Sequence, residues 1–153
     1  MANNPDSWHS PVGFHFSVAF LLEDAQVSAS FSEVDGLSQE MGFGARSRKS
    51  SGNADYPKEI KVSSLVLKRA LTPLDDKVAA WIRKNFNFLK NGRIVPCSKI
   101  IVSLLDENRN PIAGWECRWV IPVKWQLSPL DSSQSKIAVE TLTLKYKELE
   151  RIM

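Results

Sequence analysis

The sequence is poor in the residues that most often announce chemistry. Of 153 residues only two are cysteine and two histidine. Cys97 and Cys117 stand far apart with no Cys-x-x-Cys pair, which excludes a disulfide framework and a zinc knuckle. Two reduced thiols packed as small hydrophobes are the expected state. Long apolar runs are missing: Val18 to Leu22 and Ile100 to Leu105 fall far short of the about 20 residues that a membrane helix needs. Excess charge of one sign is missing too. Twenty basic against 17 acidic residues leave +3, without the concentrated basic stripe of a nucleic-acid binder. The start, Met1-Ala-Asn-Asn-Pro-Asp-Ser-Trp8, has neither the basic nor the apolar part of a Sec signal, so cytoplasmic assembly is expected.

Catalytic patterns are absent as well. His9 falls in a leader, residues 1–11, and His15 alternates with phenylalanines on a strand, so neither has a companion at metal-ligand spacing. There is no phosphate-cradling glycine motif and no Gly-x-Ser-x-Gly. Asp75 and Asp76 are adjacent, but consecutive helical residues point about 100° apart. A helix start already explains them. Trp115, Trp119 and Trp125 read as core, not as a stacking platform for bases or sugars. No enzyme activity, cofactor or metal is expected.

What the chain does have is period two. Val12, Phe14, Phe16, Val18 and Phe20 alternate, which places them on one face of a strand. Val27, Ala29 and Phe31 alternate with Ser28, Ser30 and Ser32, and Asp35-Gly36 supplies a turn. The two runs predict a hairpin. Residues 42–57 then lose the pattern over about sixteen residues, a length that in a compact domain usually serves a function. Strand character returns at Ile60 and Val62 and resumes one residue out of phase at Leu65 and Leu67, predicting a bulge at Ser63-Ser64.

Thr72-Pro73-Leu74-Asp75 predicts a helix start, with Thr72 as cap and Pro73 in the first turn. Leu74, Val78, Trp81 and Ile82 form its buried stripe, and Asn91-Gly92 ends it. Ile100 to Leu105 and Ile112 to Ile121 predict a hairpin about the polar cluster Asp106 to Pro111. Ala113, Trp115, Cys117, Trp119 and Ile121 share its inner face, the strand breaks or bends at Pro122 before Val123, Trp125 and Leu127 resume the alternation, and Lys136 to Tyr146 forms a last one. The sum is one α+β, mainly β domain: a β-sandwich or barrel of about seven strands with one flanking helix. At this length such a domain hides roughly 70 % of the unfolded chain's surface.

Five blocks, in this order and spacing, resemble the tail tube proteins of phages and contractile injection systems. They are Phe31-Ser-Glu-Val-Asp-Gly-Leu37, Leu65-Val-Leu-Lys-Arg-Ala70, Ser103-Leu-Leu-Asp-Glu-Asn108, Trp119-Val-Ile-Pro-Val-Lys124 and Ile137-Ala-Val-Glu-Thr-Leu142. With the aromatic first strand they cover about Val12 to Leu149.

The resemblance implies the phage tail tube fold, closed into hexameric rings that stack around a lumen, with the chain's own copies, a sheath protein, baseplate or spike and cap proteins, and effector cargo as partners. Residues 42–57 would be the inter-ring loop, with Arg46, Arg48, Lys49, Asn53 and Tyr56 in contact. Lys61, Lys68 and Arg69 would register neighbouring subunits, and Ser28, Ser30, Ser32, Glu140 and Thr143 would line the bore. A baseplate-proximal initiator or adaptor ring fits the same resemblance, since Ala70 and the basic cluster at Arg46 to Lys49 depart from the family's usual glycine and acidic residues. A small-ligand-binding β-barrel is the rival, and it needs an empty interior that Phe14, Phe16, Phe31, Trp115 and Trp119 are expected to fill.

Overall fold

A computed structural model describes residues 15–44, 56–73, 76–134 and 137–153. Ten strands and two helices occur among them: β1 (His15–Leu21), β2 (Gln26–Phe31), β3 (Glu33–Asp35), β4 (Gln39–Phe43), β5 (Pro57–Val62), β6 (Leu65–Ala70), α1 (Lys77–Phe86), α2 (Phe88–Asn91), β7 (Cys97–Leu105), β8 (Pro111–Leu127), β9 (Val139–Lys145) and β10 (Glu148–Arg151). The α+β, mainly β architecture is the expected one, with more and shorter strands.

The main sheet runs β2-β1-β7-β8-β9-β6-β3 and is antiparallel throughout. Two strands pass through its corners. β8, at 17 residues, pairs with β7 as far as Cys97↔Val120 and with β9 from Ile121↔Lys145 onward. β10 continues the line of β9, from Glu148↔Arg118 to Arg151↔Trp115. Because β7 already pairs with that stretch of β8, β10 must hold the opposite edge. β2 and β3 make the second corner. Phe31 pairs with Phe16 of β1, Ser32 donates its N–H to the Lys68 carbonyl at 2.9 Å, and Glu33 pairs with Lys68 of β6. Two sheets sharing two strands therefore close around one core.

The core follows from the alternation. Val18 and Phe20 of β1, Phe31, Leu65, Leu67, Ile100, Val102, Cys117, Leu142 and Leu144 all face inward and are buried. Helix α1 packs against this core with Val78, Trp81 and Ile82, Trp81 lying 6.0 Å from the Phe20 ring and Phe20 6.2 Å from Phe31. Trp81 Nε1 donates to the Val95 carbonyl at 2.7 Å, and Asn85 bonds both the carbonyl and the N–H of Val95. The segment after α2 is thereby tied down.

Four expectations need correction. The cap of α1 is Asp76, whose Oδ2 accepts from the Ala79 N–H at 3.0 Å, and not Thr72. Aspartate caps at least as well as threonine, and this one is also ion-paired to Arg69. Leu74 and Asp75 lie outside the described residues. The helix is followed by the short α2, and Gly92 ends it in the left-handed region at φ +65°.

Of the break or bend expected at Pro122 only the irregularity is present, since β8 runs through to Leu127. It sits where β8 has already left β7, opposite Leu144 of β9, and a register shift between Pro122 and Lys124 follows it. Nor is there a bulge at Ser63-Ser64. The chain there leaves the two-stranded sheet of β4 and β5 and enters the main sheet at β6.

The aromatic inner face of β8 is the fourth. Trp119 takes φ +55° and is 53 % exposed, so Val120 fills the inward position instead, and Trp115 is half-buried. Phe16 is half-buried, Phe14 lies outside the described residues, and Tyr146 supplies bulk that the alternation did not anticipate.

Both cysteines are free and buried. Burial, helped by the Glu116 charge, pushes the Cys117 thiol up to about 12, and burial raises Cys97 as well. Only the thiolate is a nucleophile. At pH 8 the native protein is expected to resist iodoacetamide for hours, while in 6 M guanidinium, above the roughly 5 M midpoint beyond which a domain counts as hyperstable, both thiols label within minutes. Mass spectrometry that finds fast labelling of the native chain would refute this.

Candidate assembly interface

The long excursion is a hairpin. β4 and β5 pair from Gln39↔Val62 to Phe43↔Pro57, so Gly42, Phe43 and Pro57, expected in a loop, belong to strands. Its tip, with Arg46, Arg48, Lys49 and Asn53, lies outside the described residues. Tyr56 is 79 % exposed. The register sorts the side chains into two faces. Glu40 opposes Lys61 and Gly42 opposes Glu59 on one, whereas Met41 opposes Ile60 on the other, with Phe43 beside them. Met41, Phe43 and Ile60 are each more than half exposed. At its base Gln39 Nε2 donates to the Leu149 carbonyl at 2.7 Å. Val62 beside it packs against the core and Ile60 borders a cleft with Arg118, Lys147 and Leu149, while Met41 and Phe43 stay open further out.

The outer faces of the two sheets differ. Ser28 and Ser30 project outward from the sheet of β2, β1 and β7, beside Ser17 and Ser103. Thr143 projects from the other sheet, where Thr141, Lys68, Lys124, Gln126 and Lys145 share its face. Residues on opposite outer faces cannot line one wall, so the set Ser28, Ser30 and Thr143 divides. Ser32 sits at the corner between the sheets, its hydroxyl donating to the Lys68 carbonyl at 3.1 Å.

Arg69 and Glu140 are a further correction. They are 6 % and 4 % exposed and face inward from β6 and β9. Arg69 Nη2 reaches Asp76 Oδ2 at 2.9 Å, its Nε reaches Glu140 Oε2 at 3.2 Å, and Trp125 Nε1 donates to Glu140 Oε1 at 2.7 Å. A guanidinium so enclosed registers nothing outside the chain, and a carboxylate so enclosed lines no bore. Lys68 is partly exposed and bonds Glu33 across the β3–β6 ladder at 3.3 Å, and Lys61 is exposed on the hairpin.

A second charge cluster spans β7, β8 and β10 on the outer face. Glu116 takes Lys99 at 2.8 Å and Arg118 at 2.8 Å, and Arg118 reaches Glu148 and Glu150 at 3.6 Å. Lys99 first and Arg118 second hold the Glu116 carboxyl below its ordinary range. Among the described residues no group of histidine, cysteine and acidic side chains could hold a metal ion, and no helix is long and apolar enough to cross a membrane.

Known structures share this fold. A chain in the cryo-EM structure of the anti-feeding prophage (AFP) baseplate superposes with a TM-score of 0.70 at 22 % identity, covering 92 % of this chain and 94 % of that one. One in the sheath–tube complex of the extracellular contractile injection system PVC, in its extended state, gives 0.65 at 19 %, covering 90 % and 87 %. Hcp1 from Flavobacterium johnsoniae gives 0.54 at 11 %, covering 88 % and 94 %. No curated protein sequence matches. The sequence itself, however, matches the family model of the T4-like virus tail tube protein gp19 over residues 12–150, and the chain belongs to that family of structural tail tube proteins.

Proposed function

We propose that the chain is the repeating subunit of the inner tube of a contractile injection particle, assembling in the cytoplasm into hexameric rings that stack around a lumen for cargo. The observation that carries this reading is the β4–β5 hairpin. A lone two-stranded hairpin is at best marginally stable in water, and an uncovered row such as Met41, Phe43 and Ile60 marks a surface built for a partner. The neighbouring ring is that partner, with Tyr56 and the tip residues Arg46, Arg48, Lys49 and Asn53 reaching it and Lys61 beside them. Sheath, baseplate or spike, and cap proteins bind the finished cylinder, and thrust comes from the sheath, so the tube needs no reaction of its own.

The test removes the contact and spares the fold. Met41→Ser with Ile60→Ser, or deletion of Arg46 to Asn53, is expected to leave the circular dichroism spectrum and Tm within a few degrees of the parent. Stacked tubes in negative-stain images are expected to disappear, leaving single rings. Long tubes from either variant would overturn the role of the hairpin.

A second reading, a ring at the baseplate end of the same machine, draws on the likeness to the AFP baseplate chain. Filament length separates the two: a tube subunit extends without limit, whereas an end ring stops after one or two layers.

A further inference from the structure

A groove of about 390 Å³ lies open between helix α1 and the sheet beside it. One wall is a single helix face, Ala79, Ile82, Arg83 and Phe86, in the i, i+3, i+4, i+7 pattern. Leu71 and Thr72, which follow β6, and Trp125 of β8 make the other. Leu71, Phe86 and Trp125 are each about half exposed. The buried ion group holds both walls: Arg69 bonds Asp76, which caps the first turn of α1, and Glu140, which takes the Trp125 Nε1–H. Those polar groups are spent on one another, so the groove offers a guest mainly carbon. Thr72 Oγ1, in its wall, is buried and has no hydrogen-bond partner among the described residues.

Charge around the helix is one-sided. Residues 77–93 contain Lys77, Arg83, Lys84, Lys90 and Arg93 and no acid. Arg93 bonds Glu23, and Lys77 and Lys84 share a cleft on the other flank of α1 with Glu23 and Asp24. Arg83 lines the groove, and among the described residues it bonds no carboxylate.

We infer that this groove is the docking site for a segment of another protein, whose bulky apolar side chain fills the space between Ile82, Phe86 and Trp125 while a neighbouring carboxylate meets Arg83. The inference goes beyond the ring reading, because it needs only one copy of the chain. The shape selects the class of partner. A small-molecule site encloses most of its guest, whereas large apolar side chains left in water around an open groove mark a surface that a protein covers. Aromatic residues and arginine carry most of the energy at such surfaces, and an indole already held by Glu140 loses little freedom on contact. A peptide laid along the Leu71 wall also brings backbone N–H and C=O groups, which a small rotation of Thr72 would meet.

Three dye-labelled peptides test the site by fluorescence anisotropy with the purified chain: Gly-Ser-Phe-Glu-Glu-Ser-Gly, the same with lysine for both glutamates, and the same with alanine for phenylalanine. The first is expected to bind roughly tenfold tighter than either control. Arg83→Glu is expected to remove the preference for glutamate over lysine, and Phe86→Ser to weaken the first peptide roughly threefold to tenfold. Ala79→Leu keeps a strong helix former in place and fills the groove, so binding is expected to vanish with the circular dichroism spectrum unchanged. Equal affinity for the three peptides, or variants that bind like the parent, overturns the site. Binding that is lost when the chain is assembled into tubes means that a second copy covers the groove, and binding that appears only after residues 1–14 are removed means that the chain's own leader fills it. Either result overturns the outside partner and leaves the ring reading standing.

Discussion

Arg69→Met lowers the unfolding free energy by about 3–5 kcal/mol, the usual loss when one partner of a buried ion group is removed. Methionine keeps the side chain's bulk, so lost charge and lost hydrogen bonds carry the effect. Without the guanidinium, Glu140 is a carboxylate 4 % exposed whose remaining donor is Trp125 Nε1, and Asp76 keeps only the capping bond from Ala79. The cation is also withdrawn from above the Phe31 ring, 5.2 Å away. Against a total stability of about 5–15 kcal/mol such a loss is severe. Urea denaturation measures it, and the double variant Arg69→Met, Glu140→Gln is expected to regain a large part, because the stranded charge is gone. A loss below about 1 kcal/mol, with assembly impaired instead, would restore Arg69 as a subunit contact.

Gly36→Ala acts on the opposite corner and is expected to be worse tolerated than any other glycine replacement among the described residues. Gly36 has φ +91°, and a methyl group there would stand 1.8 Å from the Ser64 carbonyl oxygen. The backbone conformation alone costs about 1–3 kcal/mol for a residue with a β-carbon, and the clash adds displacement of the segment that feeds β6. Tyr146 donates its hydroxyl to the Gly36 carbonyl at 2.8 Å, so the core side chain at the end of β9 is pulled along. Gly92→Ala is the control. Its φ is +65°, nothing lies within 4 Å of the added methyl, and it is expected to lose only about 1–2 kcal/mol. Equal thermal shifts for the two would contradict a steric cause.

The strands that alternate cleanly were legible in the sequence, because burial on one face and period two are the same fact seen twice. β1, β2, β7 and β9 are of this kind. β4 and β10 were not, since Gln39-Glu-Met-Gly-Phe and Glu-Leu-Glu-Arg are short and mostly exposed and have no buried row to betray them. Trp119 misled for a related reason: a positive φ in mid-strand moves the phase by one residue, and no composition signal marks it. The partners of charges were the least readable. Arg69 and Glu140 lie 71 residues apart, and whether a charge is interred or displayed depends on the register of β6 against β9, which neither strand encodes alone. The hairpin was detected as a long interruption, but its exposed row needed the pairing of Met41 with Ile60 to be seen.

The through-running β8 has a mechanical meaning. It is bonded to β7 as far as Val120 and to β9 from Ile121, with β10 on the second flank from Trp115 to Arg118, so dragging it lengthwise loads many bonds at once in shear, whereas peeling an edge strand opens them one after another. In the tube proposed above, the first kind of loading would hold the strand in place. A subunit whose longest strand cannot slip relative to either sheet shortens little under compression, and carries a blow from one face to the other as a single stiff piece.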